Sequence, residues 1–166
     1  ILIKNGCQLH PNFDKYSLTD KSFIMKTFWD TPRELLIDGL FDAMPEPAKE
    51  LFEEGVQYFS GGDHRQAVRQ ICSCLNLVII QFARSVSEIT GDFDGDEAMS
   101  ILQQPSSKTS SELWNRLEFI RQSYSQPGVG PERDFGEHEV EYLIVACIDV
   151  CERMLSDGRY RSTMLN

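Results

Sequence analysis

The chain has 166 residues, enough for one domain with a real core, and its 41% hydrophobic and 25% charged residues are those of a folded globular protein. Against 16 basic residues stand 26 acidic ones, a net charge of −10. No basic footprint able to displace phosphate counterions is visible, so nucleic-acid binding is disfavoured; an acidic surface suits basic partners, or simply solubility.

The opening segment, residues 1–18, lacks periodicity and carries Gly6, Pro11 and Asn12, which predicts an extended N-terminal arm. Residues 19–166 then read as a single all-helical domain. Thr31, Pro32 and Glu34 make a helix start, with Leu35, Leu36, Leu40 and Phe41 as its buried stripe. Pro45 and Pro47 end that helix and open another, running to about Phe59. After the turn Ser60-Gly61-Gly62-Asp63, Asp63 can cap a long helix. Its apolar residues Ala67, Ile71, Leu75, Val78, Phe82, Val86 and Ile89 advance by three or four, which predicts one buried face at the centre of a bundle.

A short helix is expected over 97–103, followed by a polar linker over 104–111. Thr109 with Glu112 can cap the next helix, whose Leu113, Leu117, Ile120 and Tyr124 share a face. Residues 126–136, with Pro127, Gly128, Gly130 and Pro131, read as an irregular loop. A last long helix over 137–155 places Val140, Leu143, Ile144, Cys147, Cys151 and Met154 along its stripe, and Asp157-Gly158 stops it. Strand-like alternation is nearly absent, so the predicted fold is all-α.

The five cysteines, Cys7, Cys72, Cys74, Cys147 and Cys151, are an odd number without a Cys-x-x-Cys pair or a signal peptide. Reduced thiols in an intracellular protein, cytoplasmic or nuclear, are expected. The apolar run 75–80 is interrupted by Asn76 and is too short to cross a bilayer, so no membrane insertion is expected. A start at Ile1 rather than Met is what a fragment or a processed product is expected to show.

Residues 51–77 resemble a tetratricopeptide repeat. Gly55, Tyr58 and Ala67 stand where that pattern wants a small residue at a helix crossing, an aromatic three later, and a small residue in the second helix; Gly62-Asp63 falls at the turn. A weaker echo occurs at residues 154–161, with Thr163 standing where a small residue is expected. The resemblance implies helical hairpins packed as an α-solenoid fragment, whose concave face binds a peptide or another subunit. A compact helical bundle is the plainer reading of the same pattern. The expected activity is therefore that of a non-catalytic protein–protein interaction or scaffold domain within a larger protein or complex. Phe28, Trp29, Tyr58, Phe59 and Tyr160 are its candidate partner-binding residues, and homodimerisation is compatible with them.

An alternative rests on Arg133-Asp134-Phe135-Gly136-Glu137-His138, which resembles the Arg-polar-x-x-x-His motif of the HEPN nucleases. That resemblance implies metal-independent RNA cleavage by a dimer, with His138 as general acid or base and Arg133 steadying phosphate charge. Asp134, Glu137, Glu139 and Glu141 crowd the motif with negative charge, which repels RNA and suits a helix N-terminus. Other chemistries find less support. The acidic stretch 92–97 has Gly95 in the fourth place, whereas a calcium loop of the helix–loop–helix type needs glycine in the sixth. Cys147 and Cys151 are one helical turn apart but lack a second ligand pair nearby. No nucleophile elbow or phosphate loop is present, and neither a metal nor a cofactor is expected.

Overall fold

The computed structural model describes residues 43–87, 89, 91–125 and 133–160. The predicted arm over 1–18, the helix beginning near Thr31, and Phe28 and Trp29 lie outside the described residues. Among the described residues the fold is all-α, with five α-helices, one 3₁₀ turn and no strand.

Helix α1 (Glu46–Ser60) starts behind Pro45, with Pro47 in its first turn, where a missing N–H costs nothing. It ends at Gly61 and Gly62. Gly62 takes φ of +79°, a left-handed conformation that glycine adopts without strain, and the Asp63 N–H then reaches back to the Tyr58 carbonyl at 2.9 Å. Helix α2 (His64–Val86) is capped by Asp63, whose carboxylate accepts from the Gln66 N–H at 3.1 Å. Ala67, Ile71, Leu75, Val78 and Phe82 are buried along it. The expected stripe stops short of Ile89, which is 47% exposed. Ser87 explains why: its N–H and its hydroxyl both turn to the Ala83 carbonyl, the backbone becomes extended, and the helix closes at Val86.

Helix α3 (Gly95–Gln103) begins two residues earlier than expected. The Asp94 carboxylate accepts from the Asp96 and Glu97 N–H groups, and Glu97 returns the bond to the Asp94 N–H at 3.0 Å. Part of the acidic stretch 92–97 is thus a capping box, its carboxylates exposed. The expected linker over 104–111 also has more order than its composition indicates. Pro105–Ser107 forms a 3₁₀ turn, and the buried Ser107 hydroxyl donates to the Leu102 carbonyl at 2.7 Å. Ser110, not Thr109, caps α4 (Ser111–Tyr124), accepting from the Leu113 N–H; the Thr109 hydroxyl sits instead 2.9 Å from that of Ser107. Helix α5 (Glu137–Leu155) matches its predicted span.

Helix α2 is central, packing against α1, α3 and α5, and α5 also packs against α4. By length and composition α2 is apolar enough to cross a membrane, a property the short run 75–80 understated. Of that apolar stretch, 61% is buried inside the bundle. Helix α5 is buried on most sides, with Val145, Ile148 and Val150 joining the predicted stripe.

Candidate functional site

Helices α1 and α2 approach closely at Gly55. A methyl group there would stand 2.7 Å from Ile71 Cδ1, 2.8 Å from Ile71 Cγ1 and 3.4 Å from the Ala67 carbonyl oxygen. Ala67 is itself fully buried, so the two small residues set the distance between the backbones. With Ala48, Phe52 and Gly55 turned inward, α1 keeps Glu46, Glu50, Glu54, Gln57 and Tyr58 exposed.

Three of the five predicted partner-binding residues are described. Tyr58 is 40% exposed. Phe59, half-buried, tilts against the His64 ring at 5.9 Å. Tyr160 has a structural bond: its hydroxyl donates to the Ala43 carbonyl at 3.0 Å, and burial pushes its pKa up to about 12.

Beside the α1–α2 turn lies an open depression lined by Gly61, Gly62, Asp63, His64, Arg65, Gln66, Asp134 and Phe135. Sequence reading missed its assembly, because the two stretches are about seventy positions apart. His64 Nδ1 donates to the Phe135 carbonyl at 3.0 Å, and Arg65 pairs with Asp134 at 3.0 Å. Phe135 is buried, stacked on Tyr124 at 5.7 Å, and the Tyr124 hydroxyl donates to the Glu139 carbonyl at 3.0 Å. The only local signal was an apolar residue just before a helix start, the usual position of a hydrophobic staple.

Arg133 and His138 have separate carboxylates. The Arg133 guanidinium lies over the Phe135 ring, 4.8 Å from its centre, and pairs with Glu139. Glu139 also accepts from the Gly136 N–H at 2.9 Å, so this carboxylate closes the start of α5. His138 Nδ1 donates to Glu141 at 3.0 Å; its side chain is 50% exposed while that of Glu141 is 11% exposed. In this arrangement Nε2 is the nitrogen left for acid–base work. Arg133 would have to leave Glu139 before gripping a phosphate with both prongs of its fork.

The cysteines are closer together than the sequence reveals. Cys74 of α2 meets Cys147 of α5, and Cys147 Sγ is 3.9 Å from Cys151 Sγ. Cys74 Sγ also lies 4.0 Å from the sulfur of Met44. The bond with Cys147 and burial raise the Cys74 pKa well above its ordinary value, and that of Cys147 is raised by its bond with Cys151 and by burial. For Cys151 the bond with Cys147 acts downward, but burial and Cys74 leave it raised. Protonated, enclosed thiols of this kind are poor nucleophiles. No group of three or more His, Cys, Asp or Glu side chains among the described residues is arranged to hold a metal ion.

No protein-family model, curated protein or solved structure matches this chain.

Proposed function

We propose that this chain is a non-catalytic protein–protein interaction domain, a helical scaffold within a larger intracellular protein or complex. The observation that carries the reading is the division of labour on α1. Its inner face is committed to the close crossing at Gly55, while its outer face keeps Tyr58 40% exposed among charged side chains. Tyrosine in that setting supplies contact area and a hydrogen-bonding tip at small entropic cost. The same crossing of small residues supports the likeness to a tetratricopeptide hairpin, with another protein or peptide, or another subunit, as the partner.

The test is cross-linking and co-purification of the full chain from cells, comparing wild type with Tyr58→Ala. Loss of a discrete partner with the substitution is the expected result. A chain that recovers no partner in either form would overturn the reading.

The alternative, a HEPN-like RNase acting as a dimer, draws on one observation: His138 is half exposed at the start of the last long helix. Against it stand the pairing of Arg133 with Glu139 and the surrounding carboxylates. Metal-free cleavage of single-stranded RNA that disappears in both Arg133→Ala and His138→Ala would establish it.

A further inference from the structure

We propose that Cys74 of α2 and Cys147 of α5 are a reversible dithiol–disulfide pair, a slow latch that hydrogen peroxide closes inside the helical core. It is independent of the interaction reading above. Helices α2 and α5 pack together, and the Cys74 thiol donates to that of Cys147 across their interface. Cys147 Sγ lies 3.9 Å from Cys151 Sγ, and Cys74 Sγ lies 4.0 Å from the Met44 sulfur, so the sulfurs form a connected row through the core. Cys74, Cys147 and Cys151 are fully buried free thiols. Any small apolar residue would fill such a seam; sulfur adds the capacity to exchange two protons and two electrons for a bond.

Geometry selects the pair. Residues one turn apart on a helix hold their Cβ atoms about 5–6 Å from each other, whereas a disulfide needs about 3.8 Å. Joining Cys147 to Cys151 would therefore unwind α5, while Cys74 and Cys147 stand on separate helices and can turn toward each other. Cys72 is engaged with Ser125 instead. In the closing step one thiol of the pair attacks a peroxide oxygen and the O–O bond breaks. That cysteine becomes a sulfenic acid, and its proton leaves with the displaced hydroxyl as water. The second thiol then attacks the sulfenic sulfur; the S–S bond forms, and the second proton leaves with the hydroxyl as another water. Two thiols lose two electrons in all, and one peroxide gains them. A small dithiol reverses the bond by exchange. Enclosure sets the pace, because covered, protonated thiols react only when the α2–α5 seam opens, and the closed bond is equally shielded from reductant. The latch responds to sustained oxidation rather than a brief pulse, and once closed it ties the central helix to α5.

The experiment exposes the full, reduced chain to hydrogen peroxide, blocks the remaining thiols with iodoacetamide and maps tryptic peptides without reduction. The expected product is a link within one chain between peptides 70–84 and 134–153, assigned to Cys74 and Cys147 by fragmentation and released by dithiothreitol. Its formation in the folded chain should be about tenfold slower than thiol oxidation in the urea-unfolded chain. The link should persist in Cys72→Ala and in Cys151→Ala, and be absent from Cys147→Ala. The oxidised chain should also unfold at a higher urea concentration than the reduced chain. A bond confined to Cys147 and Cys151, a link through Cys72, or a bond between two copies would overturn the inference. So would Met44 sulfoxide or irreversible sulfinic acid as the main product, equal rates in folded and unfolded chains, or a urea midpoint lowered by oxidation. A link that forms only after urea has unfolded the chain would overturn it as well.

Discussion

The α1–α2 seam and the α4–α5 seam join antiparallel helices by opposite means. At the first, Gly55 and Ala67 remove side-chain volume until the helices nearly touch. At the second, charged side chains close the gap in a ring. Arg116 of α4 pairs with Glu112 and with Asp149 of α5, and Arg153 of α5 pairs with the same Asp149 and with Glu112. Asp149 is 5% exposed, so its charge depends on those two guanidinium groups. A seam of small residues tolerates no added bulk, whereas a seam of ion pairs tolerates no missing partner.

Four substitutions or conditions break or sharpen this contrast. The largest effect is expected from Gly55→Leu, which drives atoms into Ile71 and should cost about 3 kcal/mol. Urea unfolding measures it, and partial recovery on adding Ile71→Val would locate the clash; a neutral result would mean that the crossing is loose. Arg116→Ala should cost about 2 kcal/mol, since Asp149 keeps only Arg153. The Arg116→Ala, Asp149→Ala pair should cost less than the sum of its single changes; strict additivity would show that the two side chains do not interact.

Alkaline pH should come next. Burial raises the Cys72 pKa from 9.0 to about 11, so the unfolded chain releases that proton first. Stability from this thiol is therefore full below pH 9, falls as pH rises through the interval to 11, and then levels; Tyr160 adds the same sign from 10.0 to about 12. A urea midpoint unchanged between about pH 8 and about pH 11 would contradict the burial of these groups. The smallest effect is expected for Tyr58→Ala, within about 0.5 kcal/mol, because the ring is exposed. A larger loss would move Tyr58 from the docking face to the core.

Local chemistry was readable from the sequence and distant chemistry was not. The span of α5, the Asp63 cap and the buried stripes of α2, α4 and α5 follow from helical periodicity and turn residues. The Asp94-x-x-Glu97 box was legible too, but its acidity drew attention to cation binding instead. Ser110 displaced Thr109 as a cap because Thr109 is occupied with Ser107, a competition that spacing cannot rank. The ion-pair ring, the meeting of Cys74 with Cys147, and the contact of His64 with Phe135 join residues far apart in the chain. They arise only once the helices are placed, so no window of sequence contains them. Arg133 was legible as a cation near a helix start, but not as the guanidinium resting over Phe135.

The Tyr160 hydroxyl reaches Ala43 across 117 positions, so the last described turn is fastened to the approach to α1. Trypsin cutting after Arg159 would sever that fastening without touching any helix. The clipped protein should then exchange its amides faster around residues 43–48, at the foot of the helix that carries Tyr58. A cut at Arg159 would thereby loosen a surface more than a hundred positions earlier in the chain.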